Sequence, residues 1–217
     1  MAISNPEKST SLKVIYDEIV VFAANGLAKV QQTISKVTRF GFINQSGKVI
    51  VPIIYDSVCL HDPNGFAKVK RNNHWGFVNL LGEEIIPPIY IASEFFRDDL
   101  VKVCQHFKWG FVDTEGKVIV QLQYDWAWDF NEGLAIVRMG GQHGAINRKG
   151  EEIIPFIYDF MKPLSNGLSA TKKNQKWGYV NAHEALKIPF TYDDAWSFQN
   201  GTAQVRRDSE FSNVNSI

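Results

Sequence analysis

The sequence predicts an all-β fold assembled from tandem units of about 34 residues, and three features held in phase along the chain predict it. An aromatic–Gly pair followed by a large and then a β-branched residue recurs as Phe40-Gly41-Phe42-Ile43, Trp75-Gly76-Phe77-Val78, Trp109-Gly110-Phe111-Val112 and Trp177-Gly178-Tyr179-Val180. A degenerate copy stands at His143-Gly144-Ala145-Ile146, and the successive glycines are 35, 34, 34 and 34 residues apart. Fourteen residues after each glycine comes a tyrosine: Tyr55, Tyr90, Tyr124, Tyr158 and Tyr192. All but Tyr90 precede an aspartate, and Tyr16-Asp17 adds a node near the start. The third feature is a strand of the form Gly-x-Ala-x-Val, clearest at Gly26 to Val30, Gly65 to Val69 and Gly133 to Val137, and looser at Asp99 to Val103, Gly167 to Thr171 and Gly201 to Val205. Self-similarity at such a period marks a repeat architecture.

Each element follows from local chemistry. In Trp75 to Pro87, two β-prone runs flank Asn79-Leu80-Leu81-Gly82. Asn first and Gly last is a type I turn signature, because the Asn side chain bonds its own backbone and Gly accepts positive φ. The frame recurs at Asn44 to Gly47, Asp113 to Gly116 and Asn147 to Gly150; in Asn181 to Glu184 the Gly is replaced, which predicts a different turn or strain. Proline at Pro52, Pro87, Pro155 and Pro189 limits the next strand. Six residues past each tyrosine lies Phe22, His61, Phe96, Phe130, Leu164 or Phe198. The unit therefore reads as three short antiparallel strands.

A unit of this size cannot bury its apolar face alone, so units must stack. By period two, Ala28, Ala67, Val101 and Ala135 share a face with Val30, Val69, Val103, Val137 and Val205, and this face is the expected interior. The aromatic–Gly glycine is expected to admit the backbone of the next unit. The favoured architecture is a solenoid-like stack of three-stranded antiparallel units; the alternative is a closed five-bladed β-propeller. Five hairpins against six Gly-x-Ala-x-Val strands leave Gly201 to Val205 as a surplus strand. Four extra residues in Gln31 to Arg39 suggest a longer loop. One domain spanning residues 13–207 is expected, with mobile polar ends at 1–12 and 208–217.

The pattern from Tyr16 to Arg207 resembles the WG-repeat (KWG-repeat) family of bacterial proteins. That family is marked by an aromatic-Gly-aromatic-Ile/Val-Asp/Asn hairpin, a Gly turn, an Ile-Pro strand end, Tyr-Asp and a Gly-Leu-Ala segment. The resemblance implies a β-rich repeat array used for binding.

Composition narrows the function. Of 217 residues, 45% are hydrophobic, which excludes wholesale disorder. Charges balance at 23 basic and 23 acidic, which argues against an obligate nucleic-acid binder. No apolar run approaches the roughly 18 residues of a membrane span. No secretory signal is visible, so the default expectation is a cytoplasmic protein, with leaderless export left open. Cys59 and Cys104 make neither a disulfide framework nor a metal cage. His61, His74, His106, His143 and His183 fall in different phases of the repeat, so they do not converge. His143 stands where tryptophan belongs, which reads as drift. Asp17, Asp56, Asp125, Asp159 and Asp193 share one place, and a carboxylate repeated in every unit points to a shared turn-capping task rather than acid–base chemistry. No enzyme activity, cofactor or metal is expected.

Two sets of residues are candidates for binding. Lys29, Lys68, Lys70, Lys102, Arg138, Lys172 and Arg206 lie on the strand face opposite the Ala and Val places, where stacking would align them into a basic row for an anionic polymer or an acidic partner. The competing reading is a solvated face that blunts edge pairing. Trp126, Trp128 and Trp196 follow the repeat tyrosine, with Trp128 and Trp196 at a place that sister units fill with Glu94 or Lys162, so these two are expected to be accessible for glycan stacking or a protein hot spot. Extra packing between units is the competing reading. Trp75, Trp109 and Trp177 are expected in the core. The overall expectation is a non-enzymatic interaction module with a protein partner, recognition of a glycan or anionic polymer being the alternative.

Overall fold

The computed structural model describes residues 16–19, 26–60 and 65–216; the expected mobile segment 1–12, Phe22 and His61 lie outside this range. Every regular element described is a β-strand, and the strands group into six antiparallel sheets among the described residues. The first holds β1 (Glu18–Ile19), β2 (Leu27–Ile34), β3 (Val37–Asn44) and β4 (Val49–Tyr55). The second holds β5 (Ser57–Leu60), β6 (Phe66–Arg71), β7 (His74–Asn79) and β8 (Glu84–Tyr90), and the third β9 (Ala92–Ser93), β10 (Leu100–Gln105), β11 (Lys108–Asp113) and β12 (Val118–Tyr124). The fourth holds β13 (Trp126–Ala127), β14 (Leu134–Met139), β15 (Gln142–Asn147) and β16 (Glu152–Tyr158). The fifth holds β17 (Phe160–Met161), β18 (Leu168–Lys173), β19 (Lys176–Asn181) and β20 (Leu186–Tyr192), and the sixth β21 (Asp194–Ala195), β22 (Thr202–Arg207) and β23 (Glu210–Asn215).

The tandem units thus have four strands rather than three. The added strand follows the Tyr-Asp node and pairs with the next Gly-x-Ala-x-Val strand, as Trp126↔Arg138 and Phe160↔Lys172 show. The chain divides into two compact units: one reaches to Val101 and includes Thr114–Gly116, the other comprises Lys102–Asp113 and Lys117 onward. A repeat array bonds each unit only to its neighbours, so its contacts divide readily.

The hairpin glycine has a cause within its own sheet. At every aromatic–Gly pair the register with the following strand shifts, a β-bulge. The bulge presses a carbonyl of that strand against the glycine. A Cβ on Gly110 would lie 2.5 Å from the Val120 carbonyl oxygen, on Gly144 2.6 Å from that of Ile154, and on Gly178 2.5 Å from that of Ile188. The close approach is therefore made by the unit's own fourth strand, not by the next unit.

β22 is likewise no surplus strand. It pairs with β23 in the register of the other hairpins: Val205↔Ser212 repeats Thr171↔Gly178. Phe211-Ser212-Asn213-Val214-Asn215 is a sixth, degenerate hairpin copy, with Ser212 34 residues after Gly178. Glu210–Asn215 thus form a paired strand. No described strand lies on the far edge of β23, and there the glycine has become serine.

The turns follow the sequence. Asn147 Oδ1 accepts the Lys149 and Glu151 amides at 2.9 and 3.0 Å, and Gly150 N–H donates to the Asn147 carbonyl at 2.9 Å. Asn181 makes the same turn without its glycine, so Glu184 is held at a φ of 61°. The extra residues of the first unit form no longer loop. They extend β2 and β3 by the pairs Thr33↔Thr38 and Ile34↔Val37 to a two-residue turn at Ser35-Lys36.

The Ala and Val places are interior as expected: Ala28, Val30, Val69, Val101, Val103, Ala135 and Val137 are fully buried. Cores form between consecutive sheets, one gathering Leu134, Ile136, Ala145, Ile154, Tyr158, Met161, Leu164 and Val180. Phe96 meets Phe77 edge-on at 5.0 Å, Phe130 meets Phe111 at 4.7 Å and Phe198 meets Tyr179 at 4.9 Å, so these three residues, each six past a tyrosine, pin a hairpin aromatic.

Urea unfolding checks this account. Gly110→Ala should destabilise by about 2–4 kcal/mol, because backbone must move, while Ser212→Ala should stay within about 0.5 kcal/mol. Glu184→Gly should stabilise by about 0.5–1 kcal/mol by relieving the left-handed backbone.

Candidate functional site

The basic places do not form an open row. Lys68 and Lys102 are only 8% and 7% exposed, because the opposite face of the middle strand is covered by the segment that follows in the array. Lys68 Nζ donates to the Ser93 carbonyl at 2.6 Å and lies 4.2 Å from the centre of the Trp75 ring and 5.2 Å from that of Phe95. Burial holds its ammonium below the usual lysine range. Lys102 sits between Trp109 (5.5 Å) and Trp126 (5.7 Å), with Asp129 at 3.4 Å. These are ammonium groups held against aromatic faces. Lys172 is half-buried over Trp177 at 5.9 Å, Arg206 is fixed by Asp194, and Arg138 is exposed.

The same contact recurs from a different place in the repeat. β18 carries Ala170 where β6 and β10 carry Lys68 and Lys102, and there Lys162 supplies the ammonium. It donates to the Ala195 carbonyl at 2.9 Å and lies 5.3 Å from Trp177 and 5.8 Å from Trp196. Burial depresses its pKa as well.

These groups belong to an aromatic belt on the second unit. Trp109 meets Trp126 at 5.3 Å, Trp126 meets Trp128 at 6.1 Å, and Trp128 meets Phe160 at 5.8 Å. Phe160 meets Trp177 at 5.8 Å, Lys162 bridges Trp177 to Trp196, and Trp196 meets Phe211 at 6.1 Å. The belt surfaces at Trp126, Trp196 and Phe211, which are 42%, 40% and 59% exposed. The accessible tryptophans are thus Trp126 and Trp196, whereas Trp128 is half-buried beneath Phe160 and His143. Trp177 is in the core, while Trp75 and Trp109 are only half-buried. Phe211 was missed by the sequence reading; the signal that finds it is the 34-residue step from Trp177.

The aspartates serve the hairpin turns. Asp125 Oδ2 accepts the Gly140 amide at 2.9 Å, Asp159 Oδ2 that of Gln175 at 3.1 Å, and Asp193 Oδ2 that of Asp208 at 2.9 Å. Lys108 beside Asp125 and Lys176 beside Asp193 hold these carboxyls below the ordinary range. Asp17 makes the same contact with the Thr33 amide, whereas Asp56 pairs with Arg39 and Ile91 stands in the aspartate's place after Tyr90.

The repeat model "WG containing repeat" matches residues 40–74, 75–106, 109–142, 144–177 and 177–210. The chain belongs to the WG-repeat family. No curated protein matches it. Among solved structures, WG-repeat residues of this chain align with Kluyveromyces lactis Hsv2p at 13% identity, over 91% of this chain and 74% of that one, with a TM-score of 0.45. Kluyveromyces marxianus Hsv2 aligns at 10% identity over 92% and 76%, with a TM-score of 0.46.

If the lysines of the WG hairpins are structural, Lys68→Ala should cost about 1–3 kcal/mol in urea unfolding, since it removes a buried charge-assisted bond and a ring contact. Arg138→Ala, at an exposed place, should cost less than about 0.5 kcal/mol.

Proposed function

We propose that this WG-repeat chain is a non-enzymatic binding module that docks a protein partner on the aromatic belt of its second unit. The observation that carries this reading is the exposure of Trp126, Trp196 and Phe211 on a belt whose other members are packed. Large exposed rings on rigid strands lose little entropy on binding, and tryptophan is enriched at interface hot spots. Lys162, half-buried beside Trp196, would keep the rim polar. A glycan is the second reading, supported by the same exposed indole faces. An anionic polymer has less support, because Lys68 and Lys102 are enclosed and Arg206 is paired.

The test is affinity capture of a partner, followed by calorimetry with the purified protein. Trp126→Ala with Trp196→Ala should weaken binding at least tenfold while leaving far-UV circular dichroism unchanged. Equal affinity in the double variant would remove the belt as the docking surface. Binding to an oligosaccharide array, lost in the same variant, would favour the glycan.

A further inference from the structure

His143 occupies the hairpin place that the other five copies fill with Phe40, Trp75, Trp109, Trp177 and Phe211. It is 5% exposed and lies inside the belt, 5.9 Å from Trp128 and 4.9 Å from Phe160, ring centre to ring centre. The ring bonds the main chain at Asp159, and its Nδ1 has no partner. A neutral imidazole tolerates this, because the free nitrogen needs only to accept. A second proton would create a buried N–H and a buried charge with nothing to receive either.

The surrounding charges oppose that proton too. On β14 the residue directly across from His143 is Arg138. On the other edge Tyr158 ends β16 opposite the ring, and burial keeps its phenol neutral. The Asp159 carboxylate is directed to the Gln175 amide, and the Asp125 carboxylate to Lys108 and the Gly140 amide. On β18 the residue paired with Phe160 is Lys172, a further cation.

We propose that His143 is a proton-operated latch of the aromatic belt, whose protonation loosens Trp128 and Phe160 and so regulates docking on that surface. The regulatory part rests on the docking reading above; the latch itself does not. Burial outweighs the Asp159 main-chain bond, which favours the charged form, and with Arg138 holds the folded ring below the ordinary histidine value of about 6.5. A depressed folded value means that this group's contribution is complete above about pH 6.5 and is lost as the pH falls through the folded value. The transition therefore belongs on the acid side of neutrality.

The experiment follows tryptophan emission and acrylamide quenching of the full chain between pH 8 and pH 5, with far-UV circular dichroism as the control for global unfolding. The expected result is a reversible step below about pH 6.5, with reduced emission and greater quenching while the strand signal holds, and no such step in His143→Phe. If His143→Phe folds poorly, His143→Trp restores the residue of the sister hairpins and serves the same purpose, and the ring resonances of the wild type report the protonation directly. A flat wild-type profile, or the same step in the variants, overturns the proposal. Calorimetry with the captured partner separates the two readings. A step in emission without any partner bound on the belt leaves the latch and removes docking. Belt-dependent docking with a flat profile removes the latch.

Discussion

A carbonyl oxygen pressed against an α-carbon organises each sheet of this protein. The bulged fourth strand brings its backbone within 2.5 Å of where a Cβ on Gly110 or Gly178 would stand, so no larger residue fits while that strand is in place. The bulge sharpens the local twist and aims the flanking aromatic and β-branched residues to opposite sides. Phe77, Phe111 and Tyr179 then point inward, where Phe96, Phe130 and Phe198 meet them. In the sixth sheet, where no described strand presses on β23, Ser212 replaces the glycine and exposed Asn213 replaces the inward aromatic. Both substitutions follow the loss of one contact.

A second regularity lies in space rather than in sequence. The ring that opens each hairpin needs a covering group on its outer side. Lys68 and Lys102 supply it from the middle strand, Lys162 from the segment after the tyrosine, and Trp128 with Phe160 close over His143 where β14 carries Ile136. A flexible four-carbon stem can deliver an ammonium to the same face from either neighbour. The belt is thus the mechanical covering of the hairpins, and its exposed members are the rings left over.

The period made much of this legible. Glycine, tyrosine and Gly-x-Ala-x-Val in phase foretell the strands, the Asn and Asp turns and the buried Ala and Val places. Three things escaped. The short strand after Tyr-Asp has two residues in most sheets, too few for alternation to register. The sixth hairpin lost the glycine that marks the other five and carries Phe211 where three of them carry tryptophan. The enclosure of Lys68 and Lys102 was not legible because period two identifies two faces of a strand but not how many are covered, and at these two places both are. Phase equivalence also hid Lys162, which shares its task with Lys102 and its place with Trp128 and Trp196. The exposed tryptophans do follow the tyrosine, yet which indole surfaces depends on Phe160 and His143, which lie in the next unit or at an altered hairpin.

The lengthened first hairpin carries a rule about how such a chain can change. Its four additional residues enter as two on β2 and two on β3, and the turn at Ser35-Lys36 keeps the two-residue, left-handed form of Asn72-Asn73 and Asn174-Gln175. Ala28 and Val30 keep their partners whatever is added beyond them, but antiparallel pairs alternate between hydrogen-bonded and non-hydrogen-bonded, so adding two residues to each strand returns the turn to the same kind of pair and adding one would not. Growth at these tips is therefore quantised in steps of four. Insertions and deletions that persist at hairpin tips should fall on that ladder, whereas the single extra residue of the 35-residue step from Gly41 to Gly76 lies between Tyr55 and Gly65, outside any tip.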